Sequence, residues 1–303
     1  MTAVVRARGL GKRYRRRWAL SQCTLDIPAG RVVGLVGPNG AGKTTLLSLA
    51  AGLLTPTSGT IEVCGGRPAS GRAQLARVGF VAQDTPTYAR LTVAEHLTLG
   101  ARLSPGWDDA LARDRIERLG LPPDQRAGSL SGGQRGQLAL TLAVAKRPEL
   151  LILDEPVASL DPLARREFLR DLSDATAGQG LSVVHSSHLV ADLERVCDYL
   201  IVLVASRVQV AGGVGQLLAT HRLLTAPRTD PAALDPAALP AALHVISASH
   251  NDRQTTLLVR AEAPIGDPAW AVSPVSLEDL ALAYMSRPGA AGRNDGSALE
   301  VHR

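Results

Sequence analysis

One short stretch constrains this chain more than any other, because it fits the pattern G-x-x-x-x-G-K-[ST] between a predicted strand and a predicted helix. The apolar run 31–36 predicts the strand, and residues 44–51 predict a helix that ends at Gly52. Glycines let successive backbone N–H groups point inward, and a helix start adds the positive end of its dipole. The sequence therefore predicts a phosphate-binding loop. Its residues are Gly37, Pro38, Asn39, Gly40, Ala41, Gly42, Lys43, Thr44 and Thr45.

The side chains at the end of this loop suit a nucleoside triphosphate. Lys43 would reach the terminal phosphates as a point charge. Thr44 would place its hydroxyl on Mg²⁺, a hard cation that prefers oxygen ligands and phosphate partners. We therefore expect the chain to bind a nucleoside triphosphate, together with Mg²⁺.

The overall composition sets only broad bounds. The chain has 303 residues, which suits one large domain or one domain with a small second one. Hydrophobic residues make up 45% and charged residues 20%, enough for a globular core. The net charge of +5 is compatible with a membrane-surface neighbour, with nucleic acid or with neither.

Cysteine usage and hydropathy indicate the compartment. The three cysteines form no C-x-x-C pair, which argues for a reducing compartment and against a disulfide framework or a zinc site. The N-terminus lacks the apolar core of a signal peptide, and no run of about 18 apolar residues occurs. We therefore expect a soluble, cytoplasmic chain that reaches a membrane only through a partner.

Acidic and amide side chains follow two predicted buried strands. Asp154 and Glu155 end the apolar run 150–153, and Gln83 ends the run 78–82. Two carboxylates at the end of a buried strand are costly unless they meet a metal or a reacting group. A metal-coordinating aspartate beside a phosphate loop is a recurrent solution in phosphate-loop enzymes. Gln83 alone also fits an ordinary polar residue at a strand end.

Tyr14, His185 and His188 each fit either a structural or a ligand-binding role. Tyr14 lies in the basic run 12–18, which suits either a solvated edge or stacking on a nucleobase, worth about 1–3 kcal/mol. His185 and His188 lie around the end of the predicted strand 181–184. A metal site there would need a third ligand, and none lies nearby in the sequence.

A second anion site is predicted at a helix start. Ser131 stands in an N-cap position before two glycines, and residues 137–146 read as a helix. Such a start exposes N–H groups to anions, although a plain loop with a capped helix fits as well. A further helix is predicted after Asp161. Helical patterning over 92–120 interrupts the strand–helix alternation and predicts a helical insert.

Taken together, these residues closely resemble the nucleotide-binding subunit of ATP-binding cassette (ABC) transporters, over about residues 3–220. The stretch 130–134, LSGGQ, equals the family's signature sequence without substitution, and other phosphate-loop families lack it. The other matching elements, in the family's order, are Tyr14 (adenine-stacking aromatic), 37–45 (phosphate loop), Gln83 (Q-loop), 150–155 (Walker B strand and catalytic glutamate), 159–161 (D-loop) and His188 (switch histidine).

The resemblance implies that two cassettes face each other head to tail, with each ATP between the phosphate loop of one and the signature loop of the other. Because this chain has one copy of each motif, the implied partner is a second copy of itself. ATP would close the dimer, and hydrolysis would release it. The residues that the resemblance implies at the ATP held by the other copy are Ser131, Gly132, Gly133, Gln134 and Asp161.

The resemblance also implies roles at the reacting phosphate. Glu155 would polarise the attacking water, and since a carboxylate is a weak base it would mainly orient that water. The implied catalytic residues are Glu155, His188 and Lys43. The implied Mg²⁺ ligands are Thr44, Gln83 and Asp154, the last through the water shell.

The C-terminal part reads differently. Residues 244–248 and 255–259 predict two strands of a hairpin. Residues 276–285 predict a capped helix, and their SLED…Y pattern resembles an ending found in cassettes of drug and antibiotic exporters.

The predicted fold class is α/β: a P-loop NTPase core with a mixed sheet, an antiparallel β subdomain and a helical insert, plus a small α+β C-terminal extension. The predicted boundaries are 1–220 for the cassette, about 84–146 for the insert, 221–286 for the extension with a short helical linker at 229–239, and 287–303 for a disordered tail.

The predicted function is ATP hydrolysis as a subunit of an ABC transporter that exports a small molecule, with a drug or antibiotic as one candidate. The partners would be a separate integral membrane permease, at the inner face of the cell membrane, and a second copy of the chain. The alternatives are an importer cassette and a non-transport ABC ATPase acting on the ribosome or DNA. Relatives of the latter kind usually carry two cassettes or long insertions, which this sequence lacks, and no direct nucleic-acid binding is expected. A binding-only regulator is disfavoured because the predicted catalytic residues are present.

Overall fold

The computed structural model describes residues 2–84, 87–158, 160–176, 180–227, 243–261, 265 and 270–286. The predicted linker at 229–239 and the predicted tail at 287–303 lie outside the described residues. Ser159 of the predicted D-loop lies outside them as well.

A six-stranded mixed sheet forms the centre of the cassette. Its strands, numbered along the chain with those of the other sheets, are β3 (Val32–Val36), β5 (Val78–Val81), β6 (Leu150–Asp154), β7 (Ser182–Ser187), β8 (Tyr199–Val204) and β9 (Arg207–Gly213). The order is β5-β6-β7-β3-β8-β9, and only β9 runs antiparallel to its neighbour. The central parallel strands are buried on both faces, which explains their continuous apolar sequences. The carboxyl ends of these parallel strands form one edge of the sheet, and several of the predicted site residues lie at or just after these strand ends.

A three-stranded antiparallel sheet forms the predicted β subdomain. It contains β1 (Ala3–Tyr14), β2 (Arg17–Pro28) and β4 (Ser58–Val63), in the order β2-β1-β4. Strands β1 and β2 are each 12 residues long. Register shifts interrupt their pairing, which marks β-bulges within these long strands.

Eight helices and a 3₁₀ turn at Ala127–Ser129 are described in the cassette. The helices are α1 (Lys43–Ala50), α2 (Arg72–Ala76), α3 (Val93–Leu103), α4 (Asp109–Arg118), α5 (Gly132–Ala145), α6 (Pro162–Thr176), α7 (Val190–Glu194) and α8 (Val214–Thr220). The predicted insert has its own core, where Val93, Ile116 and Leu138 of α3, α4 and α5 are buried in one cluster. Among the described residues, no helix is long and apolar enough to cross a membrane.

Helix α5 begins directly after Ser131, the residue that the sequence analysis placed at its N-cap. The Ser131 Oγ accepts from the Gln134 N–H at 3.2 Å, and the Gln134 Oε1 accepts from the Ser131 N–H at 2.9 Å. This capping box compensates for the low helix propensity of Gly132 and Gly133. The signature glycines therefore form the first turn of the helix.

The C-terminal extension is a four-stranded antiparallel sheet with one helix. Its elements are β10 (His221–Pro227), β11 (Leu243–His250), β12 (Gln254–Ala261), β13 (Ala271–Pro274) and α9 (Leu277–Met285), with the sheet order β11-β12-β10-β13. The predicted hairpin is β11–β12, and the sequence did not assign β10 or β13. Helix α9 packs against α7 and β8 of the cassette, where Leu193, Leu200 and Leu280 share one buried cluster.

Candidate active site

The phosphate loop connects β3 to α1 in a conformation that requires glycine. Gly42 has φ 108°, and a Cβ there would also clash with the carbonyl oxygen of Ala19. Gly40 has φ 77°. As the N-cap residue of α1, Gly42 supplies no side-chain cap, so the first N–H groups of the helix remain available to an anion.

Lys43 lies beneath this loop and is almost completely buried, with 5% of its side chain exposed. Its Nζ donates to the Gly37 carbonyl at 2.8 Å and lies 3.3 Å from the Glu155 Oε1. The Pro38 carbonyl oxygen lies 3.5 Å from the same Nζ. The ammonium group is therefore fixed between the loop backbone and a carboxylate that comes from another strand.

Asp154 ends β6 and Glu155 follows it, and a serine of β7 holds both. The Ser186 Oγ donates to the Asp154 Oδ1 at 2.8 Å and accepts from the Glu155 N–H at 2.9 Å. Glu155 has φ 46°, a left-handed conformation that costs a non-glycine residue about 1–2 kcal/mol. Ser186 is completely buried and lies opposite Asp154 in the β6–β7 register. Strained backbone held by neighbouring contacts is common at functional sites.

The Glu155 carboxylate is the meeting point of the predicted catalytic residues. Besides Lys43, its Oε2 lies 3.5 Å from the Gln83 Nε2 and 3.4 Å from the His188 Nδ1. Only 12% of the Glu155 side chain is exposed, whereas His188 is 46% exposed. Three side chains that are widely separated in the sequence therefore converge on one carboxylate.

A cleft of about 510 Å³ opens above these groups. It is lined by Tyr14, Arg17, Trp18, Ala19, the loop residues 39–45, Gln83 and Glu155. Tyr14 and Trp18 each expose more than a third of their surface. Sequence reasoning selected Tyr14 but missed Trp18 and Arg17, although an aromatic residue within the same basic run was a usable signal.

A second cleft shares Thr44 and Gln83 with the first and also contains Asp154. These side chains offer a hydroxyl, an amide and one carboxylate, the oxygen-rich set that Mg²⁺ uses when phosphates and waters complete its shell. One Asp154 oxygen accepts from Ser186, which fixes the carboxylate's orientation. The donor set therefore fits Mg²⁺. Among the described residues, no group of three or more His, Cys, Asp or Glu side chains gathers to form another metal site.

His185 has no part in this site. It is completely buried, and neither ring nitrogen has a hydrogen-bond partner among the described residues. Burial lowers the pKa of His185 to about 4.

The predicted signature and D-loop residues are not brought to the clefts. Among the described residues that line either cleft, none comes from 131–134 or is Asp161. Gln134 completes the cap of α5, and the Asp161 Oδ1 accepts from the Leu163 and Ala164 N–H groups at the start of α6. Their contact with a nucleotide remains a prediction.

Comparison with known proteins identifies the family. Residues 20–158 match the family described as "ABC transporter". The ABC transporter ATP-binding protein YxlF of Bacillus subtilis strain 168 is 36% identical over 214 residues, covering 69% of this chain and 70% of that protein. This chain belongs to the ABC transporter ATP-binding proteins. As a cassette of this family, it is an ATPase.

Other relatives of the cassette include exporters and importers. Nod factor export ATP-binding protein I of Cupriavidus metallidurans is 36% identical, covering 72% of this chain and 74% of that protein. Phosphonates import ATP-binding protein PhnC 1 of Pseudomonas aeruginosa is 35% identical, with 70% and 84% covered. A solved ATP-binding subunit of an ABC transporter is 29% identical with a TM-score of 0.64, covering 71% of this chain and 92% of that chain. These relatives confirm the fold class and leave the direction of transport open.

Proposed function

We propose that this cassette hydrolyses MgATP as a homodimer on the cytoplasmic face of a membrane and thereby drives export of a small molecule through a separate permease. The observation that carries the ATPase chemistry is the convergence of Lys43, Gln83 and His188 on Glu155, beside a glycine loop with free N–H groups. The proposal assigns each side chain a task.

In this proposal the loop N–H groups and Lys43 hold the phosphates, and Tyr14 stacks on the base. Glu155 orients the attacking water, and His188 donates to the terminal phosphate. Thr44, Gln83 and Asp154 would hold Mg²⁺, which neutralises phosphate charge when bound. The protein's contribution is positioning and electrostatic stabilisation at the buried edge of the sheet.

The proposal that two copies share each ATP rests on the position of the signature residues. Ser131 is exposed, and Gly132 and Gly133 form an open first turn of α5, away from the clefts of their own chain. A helix start of this kind binds anions, so a second chain supplies the phosphate that it faces. A bacterial ABC transporter cassette that shares this fold, at 22% identity, has been solved as a dimer, which supports this arrangement.

The export direction rests on the C-terminal pattern. Ser276 caps α9 by accepting from the Asp279 N–H at 3.0 Å, and the Tyr284 hydroxyl lies 2.9 Å from the His221 Nε2. The SLED…Y residues therefore fix the helix to the sheet of the extension and to the cassette. The resemblance of this ending to exporter cassettes supports export.

The permease would bind at the second cleft. Leu53 lies there with 63% of its surface exposed, and Phe80 and Gln83 line the same cleft. Because Gln83 also approaches Glu155, the cleft connects the proposed phosphate site to a docking surface. An exposed leucine at the mouth of a partly apolar cleft suits a helix of a membrane partner.

The test is an affinity pull-down of the tagged chain from detergent-solubilised native membranes, with partners identified by mass spectrometry. We expect a multi-span membrane protein to be recovered in stoichiometric amount, and Leu53→Glu to abolish its recovery. Leu282→Glu, which alters another exposed leucine, on α9, is the matched control. Recovery of ribosomal or DNA-associated proteins alone would refute transport, and a solute-binding protein beside the permease would indicate import.

A further inference from the structure

We infer that Glu155 also determines how the cassette discriminates between nucleoside triphosphates and diphosphates, because its carboxylate competes with the γ-phosphate for the same donors. The inference rests on the proposed function, since it requires that the γ-phosphate binds near Lys43. It assigns Glu155 a role in binding that is separate from orienting the water.

The geometry that supports this inference is the set of contacts on one carboxylate. Oε1 lies 3.3 Å from the Lys43 Nζ, and Oε2 lies 3.4 Å from the His188 Nδ1 and 3.5 Å from the Gln83 Nε2. Lys43 and His188 are the two side chains assigned to the terminal phosphate. The protein's own anion therefore contacts the groups that the nucleotide's terminal anion requires.

Burial makes this competition substantial. The Lys43 and Glu155 side chains are only 5% and 12% exposed, so water screens their attraction poorly. A γ-phosphate must displace the carboxylate before it can use the ammonium. The apparent affinity for a triphosphate then falls in proportion to the fraction of chains whose donors are free.

A diphosphate is affected much less. The loop N–H groups at the start of α1, where no side-chain cap is present, would hold the inner phosphates. The contacts of Glu155 described above are to side chains and not to those amides. Removing the Glu155 charge should therefore raise the affinity for triphosphate selectively.

The test measures the affinities of ADP and of the non-hydrolysable triphosphate AMP-PNP by calorimetry, with Mg²⁺, for wild type and Glu155→Gln. Protein concentrations are kept where light scattering shows monomers. We expect Glu155→Gln to bind AMP-PNP about tenfold more tightly, as when the donors of about one chain in ten are free in wild type. The ADP affinity should change by less than about twofold.

Asp192→Asn is the matched control, because Asp192 is 14% exposed and ion-paired with Arg165 at 3.6 Å, outside the cleft linings. It should leave the ratio of the two affinities unchanged. An equal shift for both nucleotides in Glu155→Gln, or no shift, would overturn the inference. A selective shift that disappears at about 0.5 M salt would also overturn the inference. Salt at this concentration screens long-range repulsion between Glu155 and the nucleotide but not direct competition between buried groups.

Failure of the proposed function would look different. If wild type bound neither nucleotide, the proposed phosphate site itself would be wrong. If both bound with normal affinity and the ratio did not respond to Glu155→Gln, the site would stand and only the competition would be refuted.

Discussion

Two glycine-containing helix starts in this chain are prepared for an anion in opposite ways. At α1, Gly42 leaves the helix N–H groups uncapped, and Lys43 is buried against a carboxylate from β6. At α5, Ser131 and Gln134 cap the helix, and no described cleft-lining residue lies near them in sequence. The first start has its chemistry assembled within one chain, whereas the second presents only backbone and a small hydroxyl. The difference fits the proposal that the second start serves a nucleotide held by another copy.

One of the two largest expected effects concerns the first helix start. Lys43→Ala removes the buried cation, and we expect ATP hydrolysis to fall by at least about 10²–10³-fold, as when an electrostatic stabiliser of a transition state is deleted. The rate of phosphate release measures this loss. Arg113→Ala, which removes an exposed cation that pairs with Asp109 on α4, is the control. Equal losses in both variants would show that Lys43 has no special role.

Glu155→Gln tests the carboxylate at the same site. We expect turnover to fall by about 10²–10⁴-fold because the attacking water loses its orienting base, while ATP binding is retained. Parallel measurements of phosphate release and nucleotide binding separate the two. Steady-state hydrolysis within a few fold of wild type would refute the assigned role.

Ser186→Ala should have an intermediate effect. It removes the hydroxyl that joins Asp154 to the Glu155 backbone, and groups that orient metal ligands and catalytic residues typically contribute about 10–100-fold. We expect a lower kcat and a higher Mg²⁺ requirement, with partial recovery in Ser186→Thr. A variant that loses only thermal stability, with kcat unchanged, would make Ser186 a structural residue.

Acid should lower the free energy of unfolding through His185, which is the neighbour of Ser186 on β7. Burial lowers its pKa to about 4, below the value of about 6.5 for a free histidine, so the unfolded chain binds more protons between these values. Stability should therefore fall as the pH drops through this window, by up to about 1.4 kcal/mol per unit. Urea unfolding of wild type and His185→Leu measures it. Identical pH profiles would contradict the prediction.

The smallest effect is expected in the signature helix. Gly136 lies in the interior of α5, and a Cβ there would meet no atom within 4 Å. Gly136→Ala should therefore stabilise the chain by about 0.8–1.0 kcal/mol through helix propensity. Denaturant unfolding checks this value. A loss of stability would show that the site needs glycine for a reason that α5 alone does not supply.

The sequence predicted those parts of the candidate site that depend on short, continuous stretches of residues. The phosphate loop, Gln83 and the Asp154–Glu155 pair follow apolar runs, so their place at a sheet edge was readable. Ser186 was not, because its importance comes from the β6–β7 register, which brings it opposite Asp154.

The fold shows the same limit. The start of helix α5 at Ser131 could be predicted from a capping residue next to a helical stretch, whereas the Gln134 half of the capping box was seen only in the structure. Strands β10 and β13 lack a strong alternating pattern of their own, and their pairing with each other and with β12 defines them.

The most direct test of the shared site mixes two inactive variants. Lys43→Ala damages the phosphate loop, and Ser131→Arg blocks the signature helix start. If each ATP lies between two chains, half of the randomly formed pairs are mixed, and each mixed pair holds one intact site of two. ATP hydrolysis should therefore return to about a quarter of the wild-type rate. A mixture as inactive as its components would contradict the shared site.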